Sequence, residues 1–191
     1  MPTQAPRTPH PAHGTNGEGR SRVLVAVASR HGATAEIAEE LARVLRAASP
    51  TLVVQILPVE RAGDPADHDA VVLGSAVYAG RWLAPARDYA ARHAAALRGR
   101  PVWLFSSGPI GAPPFPPDDP HDAAPLLRSL TAREHRVFPG RLDPARLGLA
   151  ERAVVTAMRA PVGDSRDWPA VRAWAEQIAA ELAPRPVRGN G

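Results

Sequence analysis

Three short segments of this 191-residue chain concentrate the side chains that can hold a ligand. The first runs through Ser29, Arg30, His31, Gly32, Ala33 and Thr34, between an apolar stretch and a helical pattern. At a helix N-terminus such a turn presents several backbone N–H groups and two hydroxyls to one point, which suits a phosphate. The same residues also serve an ordinary capped turn, with Ser29 or Thr34 satisfying orphan amides. The second segment follows Gly74 and comprises Ser75, Ala76, Val77, Tyr78, Ala79, Gly80, Arg81 and Trp82. Its small residues let the backbone approach a planar ligand, while Tyr78 and Trp82 either stack on that ligand or pack at the top of a sheet. The third, Ser107, Gly108, Pro109 and Ile110, offers backbone donors to the ligand's other edge, or makes a plain Gly-Pro turn.

Composition removes other chemistries. All 23 Lys+Arg are arginine and there is no cysteine. Schiff-base lysines, a phosphate-loop lysine, thiolate nucleophiles, disulfides and cysteine-ligated metals are therefore excluded, and redox chemistry has to come from a bound cofactor. Neither G-x-G-x-x-G nor G-x-x-x-x-G-K-[ST] occurs, and no H-x-x-x-H, H-E-x-x-H or G-x-S-x-G spacing appears. No metal site is expected, and Ser75 and Ser107 serve as loop donors instead of nucleophiles. Asp164 and Asp167 resemble a carboxylate pair, but Asp167 is better explained as a helix cap. A net charge of +4 is too small to mark a nucleic-acid surface. The apolar runs are too short to cross a bilayer, which leaves peripheral membrane contact open. Absence of cysteine fits a reducing compartment, and a cytoplasmic location is expected.

The elements that must position these segments follow from hydrophobic period. Residues 1–20 and 184–191, rich in proline, glycine and polar residues, are expected to be a disordered arm and tail around one domain at 21–183. Apolar, β-branched runs predict strands at 22–28, 51–57, 69–74 and 101–106, with a weaker edge strand at 135–142 interrupted by Pro139. Helical spacing marks 34–48, 82–97, 124–133, 144–159 and 167–182, the last capped by Asp167. Residues 110–125 hold six prolines and form a long loop. Alternating strands and helices specify a doubly wound three-layer α/β sandwich on a five-stranded parallel sheet. Ligands of such sheets bind beyond the carboxyl ends of the strands, where strands one, three and four deliver the three segments above.

With those segments placed, VLVAVASRHGATAEIAEELA (23–42), AVVLGSAVYAGRWLAPARDYAARH (70–93), PVWLFSSGPIG (101–111) and GDSRDWPAVRAWAEQIAAEL (163–182) resemble the flavodoxin-like family. Within it they are similar to the short single-domain branch that includes bacterial menaquinone-dependent protoporphyrinogen oxidases. The resemblance implies strand order 2-1-3-4-5 and noncovalent FMN. Ser29 through Thr34 would hold its phosphate, and Ser75 through Trp82 with Ser107 through Ile110 would flank its ring. It further implies a small organic substrate of the protoporphyrinogen IX type and a redox partner or quinone acceptor. The chain departs from the family at His31 and Ala33, where long flavodoxins carry a further hydroxyl and an asparagine. Residues 146–161 are a short, mostly aliphatic stretch where the oxidase branch carries a basic, aromatic insertion. Cations at Arg30, His31 and Arg81 would stabilise a reduced, anionic flavin and raise its potential, favouring acceptance of electrons from a substrate. Pairing of Arg81 with Asp88 is the competing expectation for that arginine. Two other functions are consistent with these residues: a single-domain electron carrier, and an anion- or partner-binding module that has lost flavin.

Overall fold

The computed structural model describes residues 20–108, 110, 120–157 and 159–183. The expected N-terminal arm, except Arg20, the C-terminal tail and residues 111–119 of the proline-rich loop lie outside the described residues. Strand β1 (Ser21–Ala28) is buried continuously from Val23 to Ala28, because a central parallel strand is covered on both faces. Helix α1 (Ala33–Ala48) returns antiparallel to it, and β2 (Leu52–Pro58) pairs beside it. Next come β3 (Ala70–Tyr78), the two-residue β4 (Arg81–Trp82), α2 (Ala84–Arg92) and α3 (Ala94–Arg98). The remaining elements are β5 (Val102–Ser107), α4 (Ala123–Ser129), β6 (Glu134–Phe138), β7 (Arg141–Leu142), α5 (Leu149–Ala157), β8 (Gly163–Asp164) and α6 (Trp168–Leu182).

The main sheet has the order β2-β1-β3-β5-β6 with every neighbouring pair parallel, which is 2-1-3-4-5 for the five long strands. Strand alternation divides the core in two. Val23, Val25 and Val27 face α1 and α6, meeting Ile37, Leu41, Trp174 and Ile178. Leu24, Ala26, Leu73 and Leu104 face the opposite layer, with Ala86, Tyr89 and Leu97. Phe105, Phe138 and Trp174 pack edge-on or tilted, and the Trp174 indole donates to Glu134 Oε2 at 2.7 Å. Asp167 caps α6 as expected, accepting from Ala170 N at 3.0 Å.

Several sequence expectations need correction. Strand β3 continues to Tyr78 and folds back as a hairpin onto β4, so Trp82 belongs to a strand and not to a helix. Both turn residues, Ala79 and Gly80, have positive φ, as a primed hairpin turn requires. The helix expected over 82–97 divides at His93 into α2 and α3. The expected edge strand divides at Pro139 and Gly140 into β6 and β7, and the helix expected over 144–159 is a single 3-10 turn, Pro144–Arg146, followed by α5. Proline at the break removes a ladder donor, which accounts for the shortened strand.

An arginine fastens the small two-stranded β7–β8 sheet to the first turn of α1. Arg166, with a side chain only 4% exposed, donates to Glu36 Oε2 at 2.5 Å and to Asp164 Oδ2 at 2.5 Å, and lies over the Trp168 ring. Arg141 adds a second contact to Glu36 at 2.9 Å. Burial acts to raise the Glu36 pKa, but hydrogen bonds from Arg166 and Arg141 outweigh it and leave the carboxyl below its ordinary value. The hydrogen bond from Arg166 likewise lowers Asp164, against the opposing effect of burial.

Carboxylates held below their unfolded values contribute stability at neutral pH, and that contribution disappears as pH falls through their folded values. The unfolding midpoint in urea is therefore expected to drop as pH falls below about 4–5. Arg166→Ala should flatten that part of the profile, and an unchanged acid limb would contradict the assignment. Gly74 provides an independent check, because a β-carbon there would overlap the Phe105 ring. Gly74→Ala should cost about 1–3 kcal/mol of stability by overpacking, measured by chemical denaturation; no loss would contradict the packing.

Candidate functional site

The carboxyl ends of β1, β3 and β5 open onto a cavity of about 730 Å³, within the usual range for small-molecule sites. Ser29, Arg30, His31, Ala33 and Thr34 line it from the first loop; Ala76, Val77, Tyr78, Ala79 and Gly80 from the second; Ser107, Gly108 and Ile110 from the third. Pro109 lies outside the described residues. Gly32 does not line the cavity but shapes its loop. At φ 87 it is the left-handed N-cap of α1, and Glu36 N donates back to its carbonyl at 2.9 Å.

Ser29 Oγ is buried and has no hydrogen-bond partner among the described residues. It therefore does not cap α1, and a buried hydroxyl left without a partner is costly unless a ligand or water satisfies it. Thr34 is buried in the first helical turn, where the free amides of α1 begin. The opening of this polar end carries Tyr78, 37% exposed, with the Arg30 guanidinium 5.3 Å from its ring centroid and the His31 ring at 6.2 Å. Burial is the main cause of the raised Tyr78 pKa, and the Glu151 carboxylate adds to it.

The other residues of the second segment are engaged in structure. Ser75 Oγ donates to Ala76 O at 2.8 Å and accepts from Leu83 N at 3.0 Å. The Trp82 side chain is buried, its indole donating to Ser106 Oγ at 2.7 Å, so it packs in the core beneath the loops. Arg81 pairs with Asp122 at 3.1 Å and not with Asp88, and the same carboxylate accepts from Trp82 N at 2.8 Å. Neither Arg81 nor Trp82 lines the cavity.

The remaining wall was not apparent in the sequence. His121, Gly140, Arg141, Leu142, Asp143, Arg146 and Leu147 contribute to it, as do Ala150, Glu151, Val154 and Val155 along one face of α5, and Ala160 beyond it. On α5 the spacing of the apolar residues was visible, but spacing alone does not distinguish a cavity wall from a core face. Helix α5 buries none of its residues. Charge at the cavity is largely compensated: Arg30 meets Glu151 at 2.9 Å, Arg146 lies 3.5 Å from Asp143, and Arg141 is held by Glu36. The cavity thus has a polar end at the head of α1 and an apolar side on α5. Among the described residues there is no acidic or histidine cluster suited to a metal ion, and no helix is long and apolar enough to cross a membrane.

Comparison with known proteins points to the same architecture. No curated protein sequence matches the chain. A flavodoxin from the domain Archaea superposes with a TM-score of 0.59 at 14% identity, over 84% of this chain and 98% of that one. The rubredoxin oxygen:oxidoreductase of Desulfovibrio gigas gives 0.58 at 13% identity, over 86% of this chain and 37% of that longer one. An azoreductase from Bacillus anthracis strain Sterne gives 0.52 at 12% identity, over 84% of this chain and 99% of that one. At such identities these neighbours establish the fold alone. A family model for the flavodoxin domain matches residues 24–168, from the middle of β1 to the start of α6 and through every loop of the cavity, and the chain belongs to that family.

Proposed function

We propose that this protein binds FMN in the cavity and works as a redox flavoprotein on an organic substrate. The observation that carries this reading is the buried Ser29 hydroxyl at the head of α1, without a hydrogen-bond partner among the described residues, in a loop that lines a cavity whose other side is apolar. A phosphate fits the polar end by the chemistry of its donors: the Ser29 and Thr34 hydroxyls, the free amides after Gly32, and the basic Arg30 and His31. Tyr78 and the backbone of Ser107, Gly108 and Ile110 border the space that would flank a planar ring. FMN held there would supply reversible one- and two-electron chemistry that no side chain of a cysteine-free protein provides.

The protein's own residues supply binding and exclusion of water. Hydroxyl and amide donors hold the phosphate end without a lysine, and Leu142, Leu147, Val154 and Val155 limit water access on the other side. That aliphatic side also supports an apolar organic substrate. The sequence resemblance puts forward protoporphyrinogen IX, with a quinone-type acceptor.

FMN binding is measured by the quenching of its fluorescence on titration with protein. Wild type is expected to quench, and Ser29→Ala to weaken FMN by roughly 10- to 100-fold while scarcely changing riboflavin, the loss of one hydrogen bond to a charged group. No quenching in wild type would overturn the flavin reading and leave an anion- or partner-binding module. With FMN loaded, oxidation of protoporphyrinogen IX coupled to quinone reduction would support the substrate assignment. Exchange of electrons with small redox proteins and no such turnover would make the protein an electron carrier.

A further inference from the structure

Glu151 divides its two carboxylate oxygens between its own helix and the ligand loop. Oε2 accepts from Gly148 N at 2.9 Å, the back-bond of a helix cap, which Gln can also make. Oε1 is 2.9 Å from Arg30 Nη2 and 3.3 Å from His31 Nε2. Those are the two basic side chains of the loop assigned above to a phosphate. An anion is thus already present on the cationic half of the polar end, and it belongs to the protein.

Two features make this contact a competitor for the site instead of a fixed brace. Helix α5 buries none of its residues, so apolar packing does little to set its position. Arg30 is 54% exposed, leaving its guanidinium accessible to an incoming ligand. A tethered carboxylate acts at a high effective concentration, so a free carboxylate of equal charge and similar donor demand cannot easily displace it. A phosphomonoester can. It brings about −1.5 to −2 charge and three acceptor oxygens, enough to take Arg30 and His31 while also reaching the Ser29 hydroxyl and the α1 amides.

Building on the phosphate assignment, we propose that Glu151 is a built-in competitor of the ligand: it occupies Arg30 and His31, sets an affinity threshold that a monoanionic ligand does not meet, and yields to a phosphate dianion. The contact with Gly148 N survives that exchange, so α5 keeps its cap while losing its attachment to the loop. Ligand selection and the position of the apolar wall are coupled through one side chain.

The test uses inorganic phosphate and acetate on the full-length chain, followed through the His31 imidazole resonance in wild type, Glu151→Gln and Glu151→Ala. Wild type should bind phosphate and show little response to acetate. Glu151→Gln, which keeps the helix cap, should bind phosphate roughly two- to fivefold more tightly, as expected for removing an exposed ion pair. Acetate has the same contact to displace and carries less charge for the carboxylate to repel, so it should gain no more than phosphate does. Glu151→Ala should show the same gain if charge is the cause. A change in Glu151→Ala alone would assign the effect to the cap and overturn the proposal, as would unchanged or weaker phosphate binding in Glu151→Gln, or no phosphate binding in any of the three proteins. FMN is titrated in parallel. Tighter phosphate binding in Glu151→Gln with no FMN binding in any protein would overturn the flavin reading while supporting this one.

Discussion

A parallel strand covered on both faces has no room for polar side chains, and that constraint organises the molecule. From Val23 to Ala28, Ala70 to Ala76 and Val102 to Ser107 the strands are buried almost without interruption. The polar residues admitted there are serines near the carboxyl ends, and two have local partners: Ser75 with Ala76 and Leu83, and Ser106 with Trp82 and His135. Chemistry is thereby confined to the loops that leave those ends. Because β1 and β3 are neighbours and β5 lies beyond β3, three loops widely separated in sequence meet around one cavity.

The parts of this arrangement legible in the sequence are those written in local pattern. The unbroken apolar run of β1, the helical spacing of Ile37, Leu41 and Leu45, and the Asp167 cap each depend on residues close together in the chain. What was not legible depends on long-range pairing or uncommon backbone. Ala79 adopts positive φ although it is not glycine, so the hairpin that turns Trp82 into the core had no local signal. Arg81 finds Asp122, 41 residues along the chain, and not Asp88 on α2. Of the wall on α5, Ala150, Val154 and Val155 have the spacing of a core helix, and only the tertiary structure shows them facing a cavity.

Exclusive use of arginine has a structural consequence here. Several arginines grip carboxylates through more than one nitrogen or bridge two of them: Arg43 holds both oxygens of Glu40, and Arg166 joins Glu36 to Asp164. A planar guanidinium can do this where an ammonium acts as a point charge. The +4 balance is therefore not an open positive field around the cavity. Arg30, Arg81, Arg141 and Arg146 each have an acidic neighbour. The sequence-based picture of uncompensated cations beside a flavin ring gives way to paired charges, of which Arg30 with Glu151 lies at the loop itself.

The central claim is that the loop from Ser29 to Thr34 receives the phosphate of FMN while the ring occupies the rest of the cavity. A crystal structure of the protein with FMN tests it most directly. It should place the phosphate within hydrogen-bond distance of Ser29 Oγ and the first amides of α1, with the ring between Tyr78 and the loop following β5. FMN bound elsewhere, or a phosphate with no contact to Ser29 or the head of α1, would contradict it.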